Sequence, residues 1–128
     1  MPILIVDSSI RIIERLEEII LETENTTVLH RAVSYLEAKK LLKENKYDTL
    51  ILDIDLPENG SVKLLKEIRK TNEKTCVIIL FTQINYYIHK QYKSLGADFF
   101  FDKYYDFEKI FELSFINTKE DLGKKESR

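Results

Sequence analysis

The sequence predicts an α/β fold, a doubly wound parallel sheet of five strands covered by helices on both faces. Three observations predict it. Four short apolar runs, each closed by a polar residue, and one more polar run after the first of them recur along the chain. Each run is followed by a stretch whose apolar residues repeat at helical spacing. The runs are near-continuous rather than alternating, as strands buried on both faces require.

Ile3 to Val6 is the first such run, β-branched and closed by Asp7. Ser8 and Ser9 are good helix caps. Ile12, Ile13, Leu16, Ile19 and Ile20 then mark a helix, with Glu14, Arg15, Glu17 and Glu18 between them. Asn25-Thr26 ends it. Thr27 to Ala32 reads as a short, more polar strand suited to a sheet edge. Ser34-Tyr35-Leu36-Glu37 has the form of a capping box and starts a second helix, with Leu36, Leu41 and Leu42 expected inward.

Leu50 to Leu52 is a buried strand ending in Asp53, with Asp55 two residues on. Pro57 and Asn59-Gly60 then make a turn. Ser61 is expected to cap a third helix carrying Val62, Leu65 and Ile68 on one face. Cys76 to Phe81 is the most apolar strand, closed by Thr82. Ile88, Tyr92 and Leu95 mark a fourth helix, stopped by Gly96 at the position just past its end. Phe99-Phe100-Phe101 is the fifth strand, followed by Asp102 and Lys103. Asp106 is expected to cap a last helix carrying Phe107, Ile110, Phe111 and Phe115. Right-handed crossovers leave few topologies, and strand order 2-1-3-4-5, the flavodoxin-like arrangement, places the weak second strand and the aromatic fifth at the edges.

At 128 residues the chain is one domain, expected over residues 1–116, with a polar tail over 117–128 and no output domain. Its net charge of −2 implies neither a nucleic-acid nor a membrane partner. The N-terminal apolar run is too short for a signal segment or membrane span. The lone Cys76 lies in a strand run and reads as a buried structural thiol, in keeping with a reducing, cytoplasmic setting. His30 and His89 have no carboxylate or cysteine partners at ligand spacing and read as surface residues. Tyr86, Tyr87, Tyr92, Tyr104 and Tyr105 make one end of the molecule aromatic, as in partner surfaces.

Ligands of such sheets bind beyond the carboxyl ends of the strands, near where the winding reverses. This chain places Asp7 and Ser8, Asp53 and Asp55, Thr82 and Lys103 there. Carboxylates with carbonyls and water suit a hard cation such as Mg²⁺. A hydroxyl and an ammonium beside it suit phosphoryl oxygens. With three glycines in the chain there is no nucleotide-binding glycine loop, so a covalent phosphate on Asp53 is an alternative.

Ile3 to Ser9, Leu52 to Pro57, Leu80-Phe81-Thr82 and Leu95 to Lys103 together resemble the four blocks of the receiver domain of two-component response regulators. The resemblance runs from residue 2 to residue 116. It implies that Asp53 accepts a phosphoryl group from a histidine kinase or phosphotransfer protein. It implies Mg²⁺ held by Asp7, Asp53 and the backbone carbonyl of Asp55, and phosphate oxygens held by Thr82 and Lys103. Phe100 matches an aromatic switch position. Asp55 and Ile84 match positions that tune phosphate lifetime. The switched surface would lie on the fourth helix, fifth strand and fifth helix, where a downstream protein or a second copy binds. Such a protein is not a metabolic enzyme, but catalyses its own phosphorylation and dephosphorylation.

Three departures accompany the resemblance. Ser8 stands where the family has a second metal-binding acid, which should weaken Mg²⁺ binding. Tyr104 stands where a proline usually follows the lysine. Ser61 replaces the glycine that opens the third helix, with Gly60 one residue earlier. The leading expectation is a stand-alone phosphorylatable receiver. A phosphorylation-independent interaction module is the alternative that Ser8 favours. A small phosphatase using Asp53 and Asp55 ranks below both, because its motif would normally follow the first strand.

Overall fold

The structure, a computed structural model, describes residues 2–23, 28–72, 74–107 and 109. Five parallel strands, β1 (Ile3–Val6), β2 (Leu29–Ala32), β3 (Thr49–Asp53), β4 (Cys76–Phe81) and β5 (Phe99–Asp102), form one sheet in the order β2-β1-β3-β4-β5. Helices α1 (Ile10–Thr23), α2 (Tyr35–Glu44), α3 (Gly60–Thr71) and α4 (Tyr86–Ser94) fill the crossovers. The doubly wound arrangement and the strand order are as the sequence predicts. Register brings Val6 beside Leu52, and Asp53 beside Leu80. The carboxyl ends of the three central strands therefore finish together.

Strand alternation splits the core in two. Leu4, Val6, Leu50, Leu52, Val77 and Ile79 face one layer, where Ala38, Leu64, Leu65 and Tyr92 cover them. Ile3, Ile5, Ile51, Ile78 and Leu80 face the other, against Ile13, Leu16, Ile20 and Phe107. Each such side chain contributes about 1.5–3 kcal/mol of hydrophobic stabilisation on burial. The edge strands β2 and β5 are mostly half-buried, which explains their weaker or aromatic composition. Cys76 is buried, as expected.

Local details correct several expectations. Leu36 is exposed, and Ala38 is the buried residue of α2, with Tyr35, Leu41 and Leu42 packed beside it. Positions 36 and 41 lie five residues apart, about 140° round a helix, and cannot share a face. Ser34 does cap α2, accepting from the Glu37 N–H at 3.2 Å. Ser61 is not a cap. It lies inside α3, whose N-cap is Asn59 in the left-handed region. Pro57–Asn59 form a short 3₁₀ turn in which Glu58 and Asn59 both have φ near 60°. Gly60 itself has an ordinary helical φ. It is needed because a Cβ there would meet Leu56 Cδ2 at 2.9 Å and Tyr35 Cβ at 3.1 Å. Gly96 follows α4 at φ 109°, the left-handed stop that the sequence predicts.

The two histidines are half-buried rather than on the surface. His30 Nδ1 lies 2.6 Å from the Tyr47 hydroxyl, and the His89 ring packs on Phe100 with centroids 4.1 Å apart. The second strand begins at Leu29; Asn25, Thr26 and Thr27 lie outside the described residues. Phe107 and Lys109 are helical, while the rest of the expected last helix, and residues 117–128, lie outside the described residues. No helix among the described residues is long and apolar enough to cross a membrane.

Candidate functional site

A strand that ends in a carboxylate at the crevice must pair it or leave a buried charge. Asp7 follows β1 and is fully buried; Asp53 ends β3 and is nearly so. Lys103, just past β5, supplies the partner. Its Nζ lies 2.9 Å from Asp7 Oδ2 and 2.9 Å from Asp53 Oδ1, and it is itself buried. Its backbone N–H donates to the Phe81 carbonyl at 2.8 Å, which fixes the lysine against the end of β4. Short turns orient both acids. Asp7 Oδ1 accepts from the Ser9 N–H at 2.8 Å, and Asp53 Oδ1 accepts from the Asp55 N–H at 3.0 Å.

Two carboxylates share one ammonium, so the ionised cluster carries one net negative charge. Asp7 shows the consequence. Burial raises its pKa above the ordinary 3.8, and the Asp53 charge adds to this, although Lys103 and the Ser9 N–H pull the other way. Lys103 feels the reverse: burial pulls its pKa down, but bonds to Asp7 and Asp53 outweigh it and the net shift is upward. Asp7 Oδ2 meets the ammonium as an ion pair, yet has no hydrogen bond of good geometry.

Asp7→Asn is therefore expected to stabilise the protein by about 1 kcal/mol at pH 7, because it restores a one-to-one charge balance. A carboxyl whose folded pKa is raised contributes stability below its unfolded value of 3.8, lost as pH rises through the folded value. The gain from Asp7→Asn should thus be present at neutral pH and vanish near pH 4. Urea unfolding at the two pH values checks it.

The remaining predicted residues differ in exposure. Ser8, Asp55 and Thr82 are exposed, while Ile84 and Phe100 are half-buried. The structure brings Asp7, Asp53 and Lys103 together and leaves Ser8 and Thr82 outside their pairing. Where the resemblance leads one to expect a proline after the lysine, the chain uses a side chain instead. Asp102 Oδ1 accepts from the Tyr104 and Tyr105 N–H groups at 2.8 and 3.0 Å, and Asp106 Oδ2 accepts from the Asp102 N–H at 2.7 Å. Asp106, expected only as a helix cap, thus also ties the loop to β5. The described peptide bonds are all trans.

The donor set fits a hard cation in a limited way. Mg²⁺ is commonly held by one or two carboxylates together with phosphate oxygens and water. Asp7 and Asp53 provide two buried carboxylates, and their shared ammonium leaves one negative charge uncompensated. Among the described residues no group of three His, Cys, Asp or Glu side chains forms a metal cage. The exposed Ser8 adds no charge to make one.

A family model described as the response regulator receiver domain matches residues 3–114. No curated protein matches the chain. Among solved structures, a CheY-like response regulator receiver domain protein from Methanospirillum hungatei JF-1 is 21% identical, covering 98% of this chain and 96% of its own, with a TM-score of 0.81. The receiver domain of an HD domain-containing protein from Pseudomonas fluorescens Pf-5 is 23% identical, covering 99% and 98%, with a TM-score of 0.79. A BeF3-activated DrrB receiver domain is 21% identical, covering 87% and 91%, with a TM-score of 0.74. At these identities the likenesses show the fold.

Proposed function

Because the chain belongs to the response regulator receiver family, we propose that it is a phosphorylatable receiver with Asp53 as its phosphoacceptor. The observation that carries this reading is the buried Asp53 carboxylate, held through one oxygen. Both the ammonium of Lys103 and the N–H of Asp55 engage Oδ1. Oδ2 is thereby oriented as the nucleophile. It attacks the phosphorus of a phosphohistidine on a kinase or phosphotransfer protein; the P–N bond breaks and the imidazole nitrogen recovers a proton. Asp7, Asp53 and the Asp55 carbonyl would hold Mg²⁺, which would supply neutralisation of charge on the transferring group. The product acyl phosphate carries about 1.5–2 negative charges where the carboxylate carried one. Lys103 then pairs with phosphoryl oxygens, and the exposed Thr82 hydroxyl donates to them. Exposed Asp55 and half-buried Ile84 flank the approach of hydrolytic water and tune the lifetime of the product.

The readout face comprises α4, β5 and the fifth helix expected after Asp106. Exposed Tyr86, Tyr87, Tyr104 and Tyr105 offer contact area there for a downstream protein or a second copy. Phe100, packed against His89 of α4, matches the switch position and links β5 to that helix. A cytoplasmic setting suits the kinase partner. A phosphorylation-independent interaction module is the second reading, favoured by Ser8 and by an ammonium that already bridges the two acids.

Intact-mass analysis after treatment with acetyl phosphate, across a Mg²⁺ titration, tests the two readings. The wild type should gain one phosphoryl group and Asp53→Asn none. The Mg²⁺ demand should exceed that of a receiver with two acids after its first strand. An adduct that survives in Asp53→Asn would sink the assignment, and no adduct on wild type would favour the module.

A further inference from the structure

One buried polar chain leads from α4 to the phosphoacceptor. Tyr92 and Ser61 are both buried, on α4 and α3. Their hydroxyl oxygens lie 2.6 Å apart. Ser61 Oγ is 2.9 Å from the Ile54 carbonyl, which can only accept. The single Ser61 proton is therefore spent on Ile54, and Tyr92 must donate to Ser61. Tyr92 also lies 3.5 Å from the same carbonyl, too far to compete. Burial, with Asp55 and Asp53 nearby, pushes the Tyr92 hydroxyl above its usual range against the pull of Ser61, so the donor stays protonated.

The Ile54 carbonyl and the Asp55 N–H are opposite ends of one rigid peptide plane. Its N–H end donates to Asp53 Oδ1 at 3.0 Å. Gripping the carbonyl end fixes the direction of the N–H, and aligned bonds polarise one another. We propose that Tyr92 and Ser61 are positioning residues, which orient the Ile54–Asp55 peptide and so tie α4 to the carboxylate that accepts the phosphoryl group. This rests on the reading of Asp53 as phosphoacceptor, and extends it to a second link between that carboxylate and α4, separate from Phe100.

The test uses the full chain and beryllofluoride with Mg²⁺ as the phosphoryl mimic. Tyr92→Phe keeps the ring and removes only the hydroxyl; Ser61→Ala removes the middle of the chain. Mimic affinity is read by NMR titration, and the Asp55 amide shift is recorded in the mimic-free protein. Each variant should bind the mimic about fivefold more weakly, the effect of one aligned hydrogen bond. The double variant should be no weaker than Ser61→Ala alone, because Tyr92 acts through Ser61. The Asp55 amide should shift in all three, which simple loss of packing stability would not produce. Folded Tyr92→Phe with wild-type affinity, an unmoved Asp55 amide, or additive losses would each overturn the positioning role alone. Wild type that binds no mimic would instead overturn the phosphoacceptor reading, and this role with it.

Discussion

Lys103→Met is expected to cost about 3–5 kcal/mol of unfolding free energy at pH 7, since it strands buried charge. The ammonium is the shared counter-ion of Asp7 and Asp53, at 2.9 Å from each. Methionine fills the stem volume but leaves two buried carboxylates without a cation. One of them should then hold a proton well above the ordinary carboxylate range. The loss should therefore shrink as the pH falls into that range. In the wild type the sign is the opposite. The raised pKa of Lys103 means that its contribution is complete below its ordinary 10.5 and is lost as pH rises through the folded value. Urea unfolding from pH 4 to pH 9 checks the first trend, in a range where the wild-type lysine's contribution stays complete. Millimolar Mg²⁺ should raise the unfolding midpoint of Lys103→Met more than that of the wild type. An equal response in both would argue that the two acids do not hold the cation.

Arg69→Met should be the costliest change remote from the site, destabilising by about 3 kcal/mol. The guanidinium donates to the Gly96 carbonyl through Nε at 3.1 Å and Nη2 at 2.6 Å, to the Thr75 carbonyl at 2.8 Å and to Asp98 Oδ2 at 2.9 Å. Asp98 in turn accepts the Val77 N–H at 2.9 Å, at the start of β4. One side chain thus binds the end of α4, the entry to β4 and the turn before β5. Gly96 leaves room for it, since a Cβ there would meet Arg69 Nε at 2.5 Å. Arg69→Lys should recover less than half of the loss, because a point charge cannot serve carbonyls on several sides at once. Chemical denaturation of the three proteins checks both values.

What the sequence conveyed, and what it hid, follows from the range of the forces involved. β1 and β4 match the apolar runs Ile3 to Val6 and Cys76 to Phe81 because a strand buried on both faces has no choice but to be apolar. Asp7, Asp53 and Lys103 were legible as strand-end residues for the same reason: their places depend on strand boundaries. Their mutual pairing was not, since it depends on side-chain reach across the sheet. Ser61 looked like a cap because its neighbours fit one, and only the Tyr92 hydroxyl, supplied from another helix, reveals its role. Leu36 could have been placed outside by counting its spacing to Leu41. Arg69 left no local signal, for Thr75, Gly96 and Asp98 are brought to it by tertiary structure.

The position of Lys103 has one more consequence. In the sheet order its strand, β5, is an edge, and β4 separates it from β3 and β1. Its ammonium passes over the end of β4 to reach acids on both of those strands. The side chain is a strap laid across the top of the sheet. An edge strand of four half-buried residues is thus anchored from the molecule's centre. Any group that draws the ammonium off the acids loosens that anchor, so order at the rim and charge in the middle vary as one.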